Sequence, residues 1–384
     1  MPFIHELFVI LLLALAAATA SAILYALKKA YSPKRRAKKR HVLARSVHNP
    51  ILRPRLGFAW ETEAVFNPAA VNVGGRVHLF YRALGADGVS RIGYASSKDG
   101  YTFDERLHYP VFEPDMASIP LHQKHTSPAH LKYDRSLYAS GGGWGGAEDP
   151  RAVVIDDTVH LTFSMFNGWD SIRMTHTSIR VADLMAKKWK WTRPVFLSPL
   201  NSRQKNWVLF PTGIKKRFAI LHGISPVRIE HVDQLNELEA QTQFMSAPDH
   251  GGGGYRDPSR KHHWDCTVRG AGAPPIETDL GWLLFYQSLD QFDPGRYKVG
   301  AMILDRNDPT KILYRSSLPL LEPDMRYEND WKPGIVYASG AILKDDTVFI
   351  YYGGGDKTVS LATTPLQELL RWLVEGGAIV PQAA

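Results

Sequence analysis

A single cysteine, Cys266, among 384 residues excludes any intramolecular disulfide and fits a reducing compartment. The thiol itself reads as a packed side chain. His262-His263 lacks a second ligand cluster at metal-binding spacing, so no metal site is expected. Beyond residue 55 the chain also lacks an excess of either charge. Residues 1–55 hold 11 Lys and Arg against one acid; removing them from the totals of 46 and 38 leaves 35 basic and 37 acidic residues. The high isoelectric point is thus local to the N-terminal segment and gives no ground for a nucleic-acid partner. Helical periodicity is scarce too. Between residues 56 and 364, short apolar stretches rich in β-branched and aromatic types alternate with Gly, Asp and Pro turns, which predicts strands.

What is present begins with 21 uncharged residues, Leu7 to Leu27, long enough to span a bilayer core. Eight basic residues follow between Lys28 and Arg40, on the side that the positive-inside rule assigns to the cytoplasm. A cleaved signal peptide would carry its charge before the apolar run. The pattern predicts a transmembrane anchor over 1–28 and a basic juxtamembrane linker over 29–55 in contact with anionic lipid. A cytoplasmic domain over 56–384 would follow.

That domain repeats one pattern five times, at 66–82, 148–164, 209–223, 273–287 and 338–353. Each copy has a small or Pro-containing lead, a short strand, a polar turn and a second, more hydrophobic strand. A third strand follows each copy. Pro68, Pro150, Pro211, Pro275 and Gly340 stand 82, 61, 64 and 65 residues apart, and EPDM occurs at both 113–116 and 322–325. Such repeats predict an all-β five-bladed propeller, with a generic β sandwich as the alternative. After Thr364 and Pro365, the face of Leu366, Leu369, Leu370 and Leu373 predicts a short C-terminal helix.

In a propeller the leading ends of the first strands meet at one mouth. This moves Glu148 and Asp149, in GGGWGGAEDPR (141–151), from a surface loop towards a pocket. The glycines would let backbone pass close to a sugar, with Trp144 stacking on it. The mouth would also gather carboxylates, amides, cations and aromatics, a set suited to carbohydrate. Glycosidic cleavage needs an acid for the leaving oxygen, and either a carboxylate-activated water or an anion such as phosphate as attacker.

Several motifs resemble glycoside hydrolase family 130, which comprises mannosylphosphorylases and β-mannosidases on a five-bladed propeller. They are AEDPR, KNWVLFP (205–211), GAGAPPIETDLGWLLFY (270–286), YKVGAMILDRNDP (297–309) and YYGGGD (351–356), and the resemblance covers residues 60–362. It implies inverting cleavage of β-mannosides or mannooligosaccharides with Asp149 as general acid. It also implies Asn67, Arg82, Trp144, Glu148, His222, Tyr286 and Asp356 around the sugar. In a phosphorylase, Arg151, Lys205, Arg269 and Tyr297 would surround inorganic phosphate, the only co-substrate implied.

The chain departs from the family pattern at Gly223, where an arginine is expected, at Gln287, where a histidine is expected, and at Val268, where a basic residue is expected and the adjacent Arg269 is the candidate substitute. Lost cations weaken an anion pocket, so the sequence leans to hydrolysis. Phosphorolysis is the alternative, and a silent sugar-binding propeller is another. Hydrolysis needs a base from Glu148, Glu277, Asp279 or Asp356; Glu148, adjacent to Asp149 on a strand, should point away from it. RDPSRK (256–261) reads as a solvated turn and GGGG (251–254) as a mobile loop.

Overall fold

The computed structural model describes Thr19 and residues 42–115, 143, 145–167, 172–199, 203–214, 216–240 and 255–376. From Val42 onward these residues form twenty-one strands, two α-helices and four short 3-10 helices. After β1 (Ala44–Arg45), the first repeat supplies β2 (Ala64–Val73), β3 (Arg76–Leu84), β4 (Val89–Ser97) and β5 (Glu105–Arg106). The second gives β6 (Gly145–Ile155), β7 (Thr158–Asn167), β8 (Ile172–Arg180), helix α1 (Val181–Met185) and β9 (Val195–Phe196). The third gives β10 (Val208–Leu209), β11 (Phe218–Ile224) and β12 (Val227–Val232). The fourth gives β13 (Tyr255–Arg256), β14 (Thr267–Ala271), β15 (Ile276–Thr278), β16 (Gly281–Asp290), β17 (Asp293–Leu304) and β18 (Ile312–Arg315). The fifth gives β19 (Val336–Lys344), β20 (Thr347–Gly354), β21 (Thr358–Pro365) and helix α2 (Leu366–Gly376).

The expectation of five separate blades is corrected by the pairing. The strands make four sheets of four, three, six and eight strands. The first two repeats fuse into the eight-stranded sheet because β4 and β6 pair in parallel, Val89 with Gly145 and Ser90 with Gly146. Gly146 permits this seam. Its φ is +107°, and a Cβ there would lie 2.2 Å from the Ser90 carbonyl oxygen. Gly146 therefore serves the approach of a neighbouring strand. Trp144 lies outside the described residues.

The anchored, cytoplasmic arrangement is also corrected. Leu7 to Leu27 falls outside the described residues apart from Thr19. Among the described residues no helix is long and apolar enough to cross a membrane. The membrane anchor and the anionic-lipid partner therefore have no support in the described residues. Residues 42–52, read from sequence as the end of a linker, pack into the fold: β1 pairs with β21, and Val42, Leu43 and Leu52 are buried.

One device recurs in three repeats. On the second strand a buried tyrosine gives its hydroxyl to a buried carboxylate that arginine also holds. Tyr81 donates to Glu61 Oε2 at 2.9 Å, which also accepts from Arg106 Nη2 at 2.6 Å. Tyr352 donates to Glu328 Oε1 at 2.8 Å, where Arg45 Nε donates at 2.8 Å. Tyr286 donates to Asp265 Oδ2 at 2.6 Å, with Arg315 Nε at 2.8 Å from the same oxygen. Two of these rings need a bare backbone opposite, which Gly93 and Gly300 provide on the third strands. A Cβ at either glycine would enter the ring. Removing one partner from a buried ion pair of this kind is strongly destabilising. RDPSRK is part of the same network, because Arg260 is buried on Asp265 and Asp257 pairs with Arg315 at 2.9 Å. Its reading as a solvated turn is therefore corrected.

Helix α2 lays Leu366, Leu369, Leu370 and Leu373 on the core formed by the fourth and fifth repeats. Burial of each contributes about 1.5–3 kcal/mol. Cys266 is buried, with its sulfur 3.6 Å from the Leu289 carbonyl oxygen.

Candidate active site

Backbone irregularities place the site. β2, β6, β14 and β19 each lose register once, between Phe66 and Ala69, Glu148 and Arg151, Val268 and Gly270, and Ala338 and Gly340. β11 does so between Leu221 and Gly223. The displaced residues include Asn67, Asp149, Arg269, Ser339 and His222. A bulge re-aims its side chain out of the strand's alternation. At the first two, Asn67 and Asp149 hold left-handed φ values of 45° and 49°, a conformation that Asn and Asp tolerate. Strain of that kind collects at functional positions.

The bulges converge. Asn67 Nδ2 donates to Asp149 Oδ1 at 2.8 Å, and Ser339 Oγ donates to the Pro68 carbonyl at 3.1 Å. Arg82 Nη1 also reaches Asp149 Oδ1, at 3.3 Å, while its Nη2 donates to Glu148 Oε1 at 2.9 Å. Glu148 Oε2 accepts from Lys205 Nζ at 3.1 Å. Both adjacent carboxylates thus face one guanidinium. The expectation that Glu148 points away fails because the bulge breaks the alternation between them. Burial alone would push the Asp149 carboxyl up, but Arg82, then Lys205, Arg151 and the Asn67 amide, hold it below the usual carboxylate value. Resting Asp149 is ionised.

Arg151 lies behind this layer, 1% exposed. It donates to the carbonyls of Asp149 and Gly272, to Asn206 Oδ1 at 2.9 Å and to the Tyr337 hydroxyl at 2.9 Å. The structure gives it a scaffolding position, with its donors turned to protein acceptors. Asn206 returns the link by donating to the Arg269 carbonyl at 3.0 Å.

A second cationic corner stands beyond Asn206. The Arg269 guanidinium sits 5.3 Å from the centre of the Tyr297 ring, and Lys332 Nζ lies 6.0 Å from that same centre. Lys332 Nζ is 3.4 Å from Asp356 Oδ2. Arg269 Nη1 is buried with no hydrogen-bond partner among the described residues. His222 shares a pocket wall with Lys205, Asn206 and Arg269. Burial, with Arg228 nearby, pushes its imidazole down to about 4, so it is neutral at pH 7.

Of the sequence-derived residues, Asn67, Arg82, Glu148, Asp149 and Lys205 form one contiguous cluster. Arg269, Tyr297 and Asp356 form its second corner. Tyr286 is not brought to either: it is fully buried, stacked on Trp264 at 6.0 Å and committed to Asp265. Glu277 lies in the β15–β16 hairpin paired with Arg306, and Asp279 is at the tip of that hairpin. This is the far end of β16 from Gln287, which donates to the Ala338 carbonyl beside the bulges. Asn206, Tyr337 and Lys332 were not singled out from sequence. No repeated pattern marks them. Among the described residues no group of His, Cys, Asp and Glu is arranged to hold a metal ion.

The family model described as β-1,4-mannooligosaccharide phosphorylase, Glyco_hydro_130, matches residues 138–375. A 1,2-β-oligomannan phosphorylase of Thermoanaerobacter sp. (strain X514) is 31% identical over 340 residues, covering 85% of this chain and 98% of the relative. A β-1,2-mannobiose phosphorylase of the same organism is 31% identical, covering 83% of this chain and 96% of its own. The solved structure of the β-1,2-mannobiose phosphorylase from Listeria innocua, in complex with β-1,2-mannobiose, shares the fold with a TM-score of 0.62 and 22% identity. It is matched over 87% of this chain and 99% of that one.

Proposed function

The chain belongs to glycoside hydrolase family 130, and from that membership we propose that it is an inverting phosphorylase of β-linked mannosides. The observation that carries this over hydrolysis is the pairing of the carboxylates. Glu148 is held by Arg82 and Lys205, and Asp356 faces Lys332. Carboxylate oxygens that already accept from cations have fewer lone pairs to offer an attacking water. The remaining candidates, Glu277 and Asp279, sit at the far end of β16. The curated relatives reported above are phosphorylases, which supports the same reading.

In the proposed reaction a phosphate oxygen attacks the anomeric carbon from the face opposite the leaving oxygen. The new C–O–P bond forms as the glycosidic C–O bond breaks, and Asp149 gives its proton to the departing oxygen. The products are mannose 1-phosphate and the mannoside shortened by one residue. Resting Asp149 is ionised, so the proton must arrive with the substrates. Phosphate offsets the positive field of Arg82 and Lys205, which raises the carboxyl's proton affinity, and the proton that phosphate carries balances the step. Asn67 and Arg82 fix the Asp149 oxygen. Arg151, through Asn206 and Tyr337, fixes the wall behind it, while Lys205, Arg269 and Tyr297 face the anion.

The test incubates the protein with β-1,2- and β-1,4-mannobiose, each with and without inorganic phosphate. Phosphate-dependent mannose 1-phosphate is expected; free mannose formed at the same rate without phosphate would overturn the reading.

A further inference from the structure

Cations of the family pattern are missing at Gly223 and Gln287, and at Val268 only the neighbouring Arg269 stands in, yet the site still has to hold an anion if it works by phosphorolysis. We propose that Lys332, from the loop before β19, supplies the missing charge and binds the attacking phosphate. This rests on the phosphorolysis reading and names a further substrate-binding residue for it.

Position comes first. The Lys332 amide donates to the Gly355 carbonyl at 2.9 Å, and the Tyr297 amide donates to the Gly334 carbonyl at 2.8 Å. The loop is therefore stitched both to the turn that carries Asp356 and to the strand that carries Tyr297. Its ammonium points to the Tyr297 ring that Arg269 also overlies. Two positive charges from separate parts of the chain thus meet around one tyrosine, a field that favours an anion.

Engagement comes second. Arg82 and Arg151 spend their donors on protein acceptors. Lys332 pairs with Asp356 at 3.4 Å while its side chain stays 22% exposed. It is accessible to a ligand in a way the two buried arginines are not.

Charge comes third. Without Lys332 the site holds four cations, at positions 82, 151, 205 and 269, against three carboxylates, at 148, 149 and 356, an excess of one positive charge. With it the excess is two, which matches the roughly two negative charges of a phosphate group near neutral pH.

The alternative role for Lys332 is to orient Asp356 towards sugar hydroxyls, and kinetics separate the two. For wild type, Lys332→Met and Lys332→Arg, the KM values for phosphate and for mannobiose are measured in phosphorolysis. Phosphate binding to each protein is measured by calorimetry without mannoside. The expected result is a phosphate KM raised by about 10- to 100-fold in Lys332→Met, the loss of one charge-assisted contact. The mannobiose KM should move by less than about threefold, and Lys332→Arg should recover most of the loss. A phosphate KM unchanged in Lys332→Met, or a defect confined to mannobiose, overturns the role of Lys332 and leaves phosphorolysis standing. Absence of mannose 1-phosphate from wild type overturns phosphorolysis. In that event Lys332 stands as an anion-binding residue only if calorimetry shows phosphate on wild type and its loss in Lys332→Met, and falls otherwise.

Discussion

Asn67 and Asp149 lie 82 positions apart, each on a bulge with left-handed backbone, and are joined by a 2.8 Å hydrogen bond. The bond ties the proposed proton donor to a different repeat. Asn67→Ala should lower kcat by about 10- to 100-fold, as expected when a positioned acid loses its orientation. Steady-state rates at saturating phosphate and mannobiose check this. A KM change with unaltered kcat would assign Asn67 to sugar binding alone.

Asp149→Asn should reduce phosphorolysis by at least about 100-fold while leaving the fold intact. It should also change proton bookkeeping on phosphate binding. Wild type needs to protonate Asp149 when the anion arrives, and the variant has no carboxyl to protonate. Calorimetry in buffers of different ionisation enthalpy should therefore give a larger proton uptake for wild type than for Asp149→Asn. Equal uptake would contradict the account of how the acid is charged.

Acid should weaken the fold through His160 and His176, whose rings meet at 3.0 Å between Nδ1 and Nε2. Burial, with His160 adding to it, pushes His176 down to about 3, and burial lowers His160 as well. The unfolded chain takes up these protons first, near pH 6.5. Stability present above that pH is therefore lost as pH falls from 6.5 towards 3, by about 1.4 kcal/mol per pH unit for a fully shifted group. Urea unfolding at pH 7.5 and pH 4.5 should show this loss, and His176→Asn should reduce the difference.

Tyr286→Phe separates a structural from a substrate role. Removing its hydroxyl takes one donor from the buried Asp265, so unfolding free energy should fall by about 1–3 kcal/mol. KM for mannobiose should stay within twofold. A large KM effect with unchanged melting would return Tyr286 to the sugar.

The strand pairs were legible because their alternation and turns are local. VGGRV, IDDTV and KDDTV mark hairpins in which Gly74, Gly75, Asp156, Asp345 and Asp346 take positive φ. The paired carboxylates of AEDPR were legible through motif chemistry. Their mutual geometry was not, because a bulge is a tertiary event that strand alternation does not anticipate. Lys332 was hidden for another reason: it sits in a loop and matters only through Tyr297 and Asp356, which other strands bring to it. Asp257 and Arg260 looked solvated because their partners, Arg315 and Asp265, are distant or unremarkable in sequence. The number of sheets depended on a two-residue pairing between Val89–Ser90 and Gly145–Gly146, too short to leave a pattern.

That seam bears on inheritance as well as on shape. Arg82 belongs to the first repeat and Asp149 to the second, and β4 and β6 are hydrogen-bonded between them. In an array of repeats whose copies contact only their neighbours, stability is nearly a sum over modules, and modules can be exchanged. Here the edge of one copy is the interior of the next. The first two repeats are therefore one unit of recombination: a chimera that takes residues 145–180 from a relative must take residues 64–97 with them to keep its proton donor in place.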